Sequence, residues 1–259
     1  MTAPERDLPA LRWGVEVVEG EVPDSLENPA VDRGYLQIGA DAVLVSIPST
    51  GRMLVTRDRV VLAPAEGCTV QDMGYLVYGW ATRFVLVLRE EFCLHASAVQ
   101  VPGGAIGVMG DVGAGKSTTV AGLAARGRTI VVDDVLPVRM DDAGAWVHGW
   151  SRPVHLLPDA AERLGLPEDL PRLPRADRKI VLATEGVGED LRLRLLIDLR
   201  RDAALAAPVA EPLLGLERVT ALRANIDGTG MTSTGGRAGA FFRWVTDLAN
   251  AVPVVRVRR

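Results

Sequence analysis

The chain has 259 residues, 48% of them hydrophobic and 24% charged, and a formal net charge of −4. That is enough to bury the core of one large α/β domain, or of a small domain joined to a medium one. The acidic balance, with basic clusters no longer than the group Arg256, Arg258 and Arg259, argues against nucleic acid as a partner.

No segment approaches the roughly 18 uninterrupted apolar residues of a membrane span. Residues 1–13 carry Glu5, Arg6 and Asp7 and no apolar run, so no signal peptide is expected. Cys68 and Cys93 belong to no CxxC or Cys/His cluster, which fits reduced thiols in a cytoplasmic protein without a membrane partner.

In chain order, residues 35–38, 42–46, 52–56 and 60–63 are short aliphatic runs separated by turn residues. They predict a small antiparallel sheet. Met73, Val77, Trp80, Phe84 and Leu88 recur at helical spacing, which predicts a helix over 69–88. From Phe92 the character changes. Strands are expected at 94–101 and 105–109, a glycine-rich loop at 110–115, a helix at 117–126 and a strand at 129–133. Together these read as a βαβ unit. A hairpin follows around Asp141 to Gly144, then a short helix at 159–164, a Pro-, Arg- and Asp-rich loop at 167–177, and strands at 179–183 and 191–199. Helices at 212–224 and 240–249 and a strand at 254–257 complete the chain.

Gly110, Asp111, Val112, Gly113, Ala114, Gly115, Lys116, Ser117 and Thr118 satisfy GxxxxGK(S/T). Glycines at these positions let backbone N–H groups converge on phosphates without Cβ clashes. Lys116 suits the β- and γ-phosphates as a compact point charge, and the Ser117 hydroxyl suits Mg²⁺. The helix N-terminus adds partial positive charge. A buried strand before the loop and a helix after it supply the context the motif needs. Lysine is scarce: the 29 basic residues include only Lys116 and Lys179. Arginine cannot replace lysine inside a phosphate loop, which explains Lys116 and marks Lys179 as a second candidate.

Asp133 and Asp134 end the next buried strand, where ligands of α/β sheets bind. One carboxylate can hold Mg²⁺, and the other can accept the proton of an attacking hydroxyl.

The run LHASA at 94–98, then GDVGAGKST and then VVDDV, at these separations, resembles the kinase domain of HPr kinase/phosphorylase and its relatives. The resemblance covers residues 60 to 259. It implies an α/β fold, a P-loop kinase core related to HPr kinase and phosphoenolpyruvate carboxykinase. That core is expected at 91–259, after a small, mostly β domain at 1–90 that ends in a helix. It implies that His95 lies beside Asp133, that Asp133 is the catalytic base, and that Lys116 and Ser117 hold phosphate and metal. Asp134 is then left to help hold the metal. The first section is also similar to the smaller HPr-kinase-like proteins found among genes for peptide natural products such as lasso peptides, which phosphorylate a serine of a precursor peptide. Val154 to Asp159 and Asp177-Arg178-Lys179 fit two further elements of those proteins, which places Lys179 at the nucleotide or the transferred phosphate. The Gly- and Ile-rich signature that follows the acid pair in the bifunctional enzymes is absent.

The expected function is therefore an ATP- and Mg²⁺-dependent kinase acting on a hydroxyl, with serine of a peptide or small protein as acceptor. The larger relatives are hexamers, which makes a homo-oligomer the expected assembly. A kinase for free serine or another small alcohol shares the same core residues. A nucleotide-dependent accessory protein needs the loop but neither the acid pair nor His95.

Overall fold

Short aliphatic runs in the first 64 positions alternate between buried and open sites, and each becomes a strand. A computed structural model describes residues 11, 14–149, 153–172, 179–184, 187–226, 229–232 and 236–259. The fold is α/β. The chain forms two units, Met1–Glu91 with Gly228–Ala238, and Phe92–Asp227 with Gly239–Arg259.

The first unit holds β1 (Glu16–Glu19), β2 (Val31–Asp32), β3 (Leu36–Ile38), β4 (Val43–Ile47), β5 (Gly51–Val55) and β6 (Arg59–Pro64). They form one sheet in the order β1-β6-β5-β4-β3-β2. All pairs are antiparallel except β1 with β6. The short strands β1 and β2 were not evident from hydrophobic patterning. Val43, Val45, Met53, Val55, Val60 and Leu62 are fully buried, and their period of two defines the inner face. The expected helix starts five residues late, at α1 (Gly74–Leu76), and continues through a π-helical turn (Val77–Ala81) into α2 (Thr82–Leu88). Asp72 accepts hydrogen bonds from the backbone and hydroxyl of Thr69, both at 2.9 Å. Those bonds make residues 69–72 a turn of their own.

The second unit contains β7 (Cys93–Leu94), β8 (Ala96–Val101), β9 (Gly104–Gly110), α3 (Lys116–Ala124), β10 (Ile130–Val132), β11 (Leu136–Asp141) and β12 (Gly144–His148). It continues with β13 (Val154–Leu156), α4 (Pro158–Arg163), β14 (Ile180–Leu182), β15 (Asp190–Arg200), β16 (Val209–Leu213) and α5 (Gly215–Ala224). After α6 (Thr229–Thr232), which belongs to the first unit, α7 (Ala238–Ala251) and β17 (Val254–Arg258) close the fold.

The main sheet has nine strands in the order β10-β8-β9-β15-β12-β11-β7, with β17 beside β15 and β16 beside β17. Long β15 runs parallel to β9 and to β17. Three expectations change here. The strand expected at 94–101 breaks at His95. β10 lies against β8, not against β9, so the crossover through α3 skips one strand. Residues 209–213, part of which read as helical, form the edge strand β16, with Pro212 opposite Val255. An edge tolerates a residue that cannot donate to the ladder. The expected loop at 167–177 falls in part outside the described residues. The hairpin β11–β12 is as expected. Asp141 closes it by accepting from the N–H groups of Ala143 and Gly144 and from Trp146 Nε1. The Trp146 bond, with help from Arg139, holds the Asp141 carboxyl below its ordinary pKa against a smaller effect of burial.

Helix α3 packs Val120 and Ala121 against Val99 of β8, Val108 of β9, Ile130 of β10 and Leu199 of β15. Val154 and Leu156 of β13 belong to the same cluster. Fully burying one such aliphatic side chain contributes about 1.5–3 kcal/mol. This cluster fixes the start of α3 relative to the ends of β9 and β10. Among the described residues no helix is long and apolar enough to cross a membrane.

On β15, Asp198 is fully buried and faces two arginines. Arg256 Nε donates to its Oδ2 at 2.9 Å, and Arg200 Nε stands 3.0 Å from its Oδ1, an ion pair off the line of a good hydrogen bond. Removing one charge of such a group leaves the others uncompensated. Asp198→Asn is expected to cost about 2–3 kcal/mol, less than the roughly 3–5 of a wholly buried pair because both arginines reach solvent. In urea denaturation this appears as a lower midpoint with an unchanged slope.

Candidate functional site

Between β9 and α3 the chain must reverse within five residues, and three glycines allow it. Gly110, Gly113 and Gly115 have φ of 146°, 78° and 98°, which side-chain-bearing residues seldom adopt. At Gly110 a Cβ would also stand 2.3 Å from the carbonyl oxygen of Leu199. Gly115 is the N-cap of α3 and offers no side-chain cap, so the first N–H groups of the helix remain available to an anion. Ala114 is buried in the α3 cluster and anchors the loop. Val112 stands 92% exposed at its tip. Lys116 is buried, with Nζ donating to the carbonyls of Gly110 at 2.9 Å and Asp111 at 3.3 Å. Ser117 and Thr118 follow in the first turn of α3, both half-buried.

Arg200 Nη1 donates to Asp111 Oδ2 at 2.6 Å, which ties the loop to β15. Burial works to lower the pKa of this guanidinium, but its contacts with Asp198 and Asp111 outweigh that and hold it above the ordinary arginine value.

The acid pair lies after β10. Asp133 is 3% exposed. Its Oδ1 accepts from Ser117 Oγ at 2.9 Å and from Ser97 Oγ at 2.5 Å. Asp134 has φ 74°, and the N–H of Val135 bonds across it to the carbonyl of Asp133 at 2.9 Å. That is a γ-turn of the rare positive-φ kind, a strained conformation that persists where surroundings enforce it. The turn brings Asp134 Oδ1 within 3.2 Å of His95 Nδ1, with the two side chains 33% and 29% exposed. His95, expected beside Asp133, makes an ion-pair contact with the second member of the acid pair, Asp134.

His95 occupies the break between β7 and β8. Its N–H donates to the carbonyl of Asn225 at 2.7 Å. Asn225 follows α5 and is 3% exposed. Its Oδ1 accepts from the N–H of Gly110 at 2.7 Å, and its Nδ2 donates to the Ala221 carbonyl at 2.8 Å. One residue therefore holds both the root of the loop and the backbone of His95.

Lys179 is half-buried at the head of β14, one residue before Ile180 pairs with Leu156. Asp177 and Arg178 lie outside the described residues. Sequence reasoning did not single out Ser97, Asn225 or Arg200. Ser97 had a usable signal: it lies two residues after His95, hence on the same face of an extended chain. Asn225 and Arg200 had none, since each acts on residues about 90 or more positions away.

No family model matches the chain, and no curated protein does. Among solved structures it is similar to the HPr(Ser) kinase/phosphatase from Coxiella burnetii, at 15% identity and a TM-score of 0.31, over 64% of this chain and 84% of that one.

Asn225→Ala removes the acceptor of a buried N–H and is expected to cost about 1–3 kcal/mol of stability. Hydrogen exchange should report it locally, as lost protection of the Gly110 amide relative to the amides of β9.

Proposed function

We propose that this chain is a kinase that transfers the γ-phosphoryl group of ATP, bound with Mg²⁺, to a hydroxyl. One observation carries the reading: the Ser117–Asp133 hydrogen bond of 2.9 Å, which joins a phosphate loop to an acid pair whose second member stands open beside a histidine. A loop that only bound Mg·nucleotide would use an acid for the metal, but would not need a second one beside a histidine.

The residues suit Mg²⁺. Among the described residues no three acidic, His or Cys side chains cluster to hold an ion by themselves. Ser117 and Asp133 instead offer oxygen donors at one point, as suits an ion that takes its other ligands from phosphates and water. When bound, the ion would neutralise charge on the transferring phosphoryl group.

Lys116 and the N–H groups at the start of α3 hold and neutralise the phosphates. Ser97 keeps Asp133 aimed at Ser117. Asp134, half-open and beside His95, accepts the proton of the acceptor hydroxyl as its oxygen bonds to the γ-phosphorus. The bond from that phosphorus to the bridging oxygen breaks, and ADP leaves. His95 orients Asp134. In this assignment the first aspartate serves the metal and the second the proton, the reverse of what the resemblance alone implies. Lys179, on the β13–β14 arm that packs on α3, serves the nucleotide or the transferred phosphate. The acceptor is serine of a peptide or small protein, a natural-product precursor peptide in particular. That choice rests on the sequence resemblance to the smaller HPr-kinase-like proteins.

Three variants test the roles with labelled ATP and candidate peptides, read as phosphate mass on the acceptor. Asp134→Asn should bind ATP within a few-fold of wild type and lose transfer by about 10²–10⁴-fold. Asp133→Asn should require more Mg²⁺ for half-maximal rate, and Lys116→Ala should weaken nucleotide binding itself. Full transfer by Asp134→Asn would return the base role to Asp133. ATP hydrolysis with no phosphorylated acceptor from any hydroxyl compound would sink the kinase reading.

A further inference from the structure

The paired ends of β15 and β17 place four arginines, Arg200, Arg256, Arg258 and Arg259, and their neighbours on two faces of the sheet. Side chains alternate along a strand, and the parallel register pairs Asp198 with Arg256 and Arg200 with Arg258. Asp198, Arg200, Arg256 and Arg258 fall on one face. Leu199 and Val257 fall on the other, where both pack in the cluster under α3. Arg259, two residues beyond Val257, follows that second face and reaches the first turn of α3.

Its partners differ from those of the other three. Arg200 pairs with Asp111 and Asp198, Arg256 with Asp198, and Arg258 with Asp202 and Glu211. Among the described residues no carboxylate pairs with Arg259. Its Nη2 instead donates to Thr119 Oγ1 at 3.3 Å. A Cβ built on Gly115, the N-cap of α3, would stand 2.6 Å from that same nitrogen. The backbone of Arg259 is fixed on both sides: its N–H donates to the Arg200 carbonyl at 3.0 Å, and its main-chain oxygen accepts from the N–H of Asp202 at 2.8 Å. A guanidinium without an acid is therefore held beside the loop on the side of Gly115 and Thr119, while Lys116 fills its centre.

We infer that Arg259 is a nucleotide-binding residue, a second cation of the phosphate loop that contacts the polyphosphate beside the first turn of α3. This rests on the reading that the loop binds a nucleoside triphosphate. A triphosphate carries several negative charges, and one lysine balances one of them. A planar guanidinium can span two phosphate oxygens, which an ammonium cannot. The hydroxyl of Thr119 also donates to the Gly115 carbonyl at 2.8 Å, so it can accept from Arg259 and steady the guanidinium.

The test is calorimetric binding of Mg·ADP and Mg·ATP to wild type, Arg259→Ala, Arg259→Lys and Lys116→Ala. Arg259→Ala should raise the Kd for both nucleotides about tenfold, with Arg259→Lys recovering part of the loss. The difference should shrink as salt approaches about 1 M, where the Debye length is about 3 Å. The melting temperature without nucleotide should stay at the wild-type value, while the rise that nucleotide induces becomes smaller. Arg259 is exposed, so its loss is not expected to impair folding. Wild type that binds nucleotide, with Arg259→Ala within twofold of it, overturns the inference and leaves the phosphate loop standing. Wild type that binds neither nucleotide overturns both.

Discussion

A buried carboxylate is costly unless its oxygens are satisfied, and Asp133 is one. Its Oδ1 accepts from two hydroxyls that come from different elements, Ser97 from β8 and Ser117 from α3. Their convergence needs three things at once. The end of β10 must lie beside β8, α3 must start close to both, and the loop before α3 must hold its first turn still. The cluster of Val99, Val108, Val120, Ile130 and Leu199 meets the first two demands, because it packs the helix that carries Ser117 on the strands that lead to Ser97 and Asp133. A shift of α3 by one residue would move Ser117 to another side of the helix and leave Asp133 half-paired.

The third demand explains how heavily the loop is tethered. Ala114 is sunk into the core, Gly110 is bonded to Asn225, and Asp111 is bonded to Arg200. Each tether uses a different physical force: apolar burial, a neutral hydrogen bond and an ion pair. A loop fixed in this way spends little further entropy on ordering itself around an anion. Val112, at the tip, stands 92% exposed. The Asn225 tether has a second consequence. Because its carbonyl also receives the His95 N–H, the glycine loop and the backbone of His95 share one reference point.

Much of this was legible in the sequence where the cause is local. The GxxxxGK(S/T) run needs its glycines for backbone reasons that neighbours decide, and the loop formed where it was read. The Asp141 turn is equally local, since the acceptor and its donors lie within five residues. What escaped was long-range. The break at His95 depends on Asn225, and it is invisible in a run of residues that reads as one continuous strand. Residues 209–213 form a strand because β17 offers them an edge, although Pro212 and the following residues read as a helix start. The skipped strand between β9 and β10 is a matter of topology, on which hydrophobic periodicity is silent.

The acid pair shows the limit most sharply. Two consecutive residues at a strand end point to opposite sides, so Asp133 and Asp134 had to differ in environment. Sequence adjacency could not say which of them faces α3. A register shift in β10 between Ile130 and Val132 puts Asp133 on the same side as Ile130, where it meets Ser117, and with φ at 74° Asp134 leaves the line of the strand beside His95. Asp133 is buried with its Oδ1 accepting from two hydroxyls, whereas Asp134 is a third exposed at 3.2 Å from a histidine, and the proposed assignment of metal and proton rests on that difference. The backbone strain at Asp134 thus goes with two different environments for neighbouring aspartates, one buried against Ser97 and Ser117 and one a third exposed beside His95.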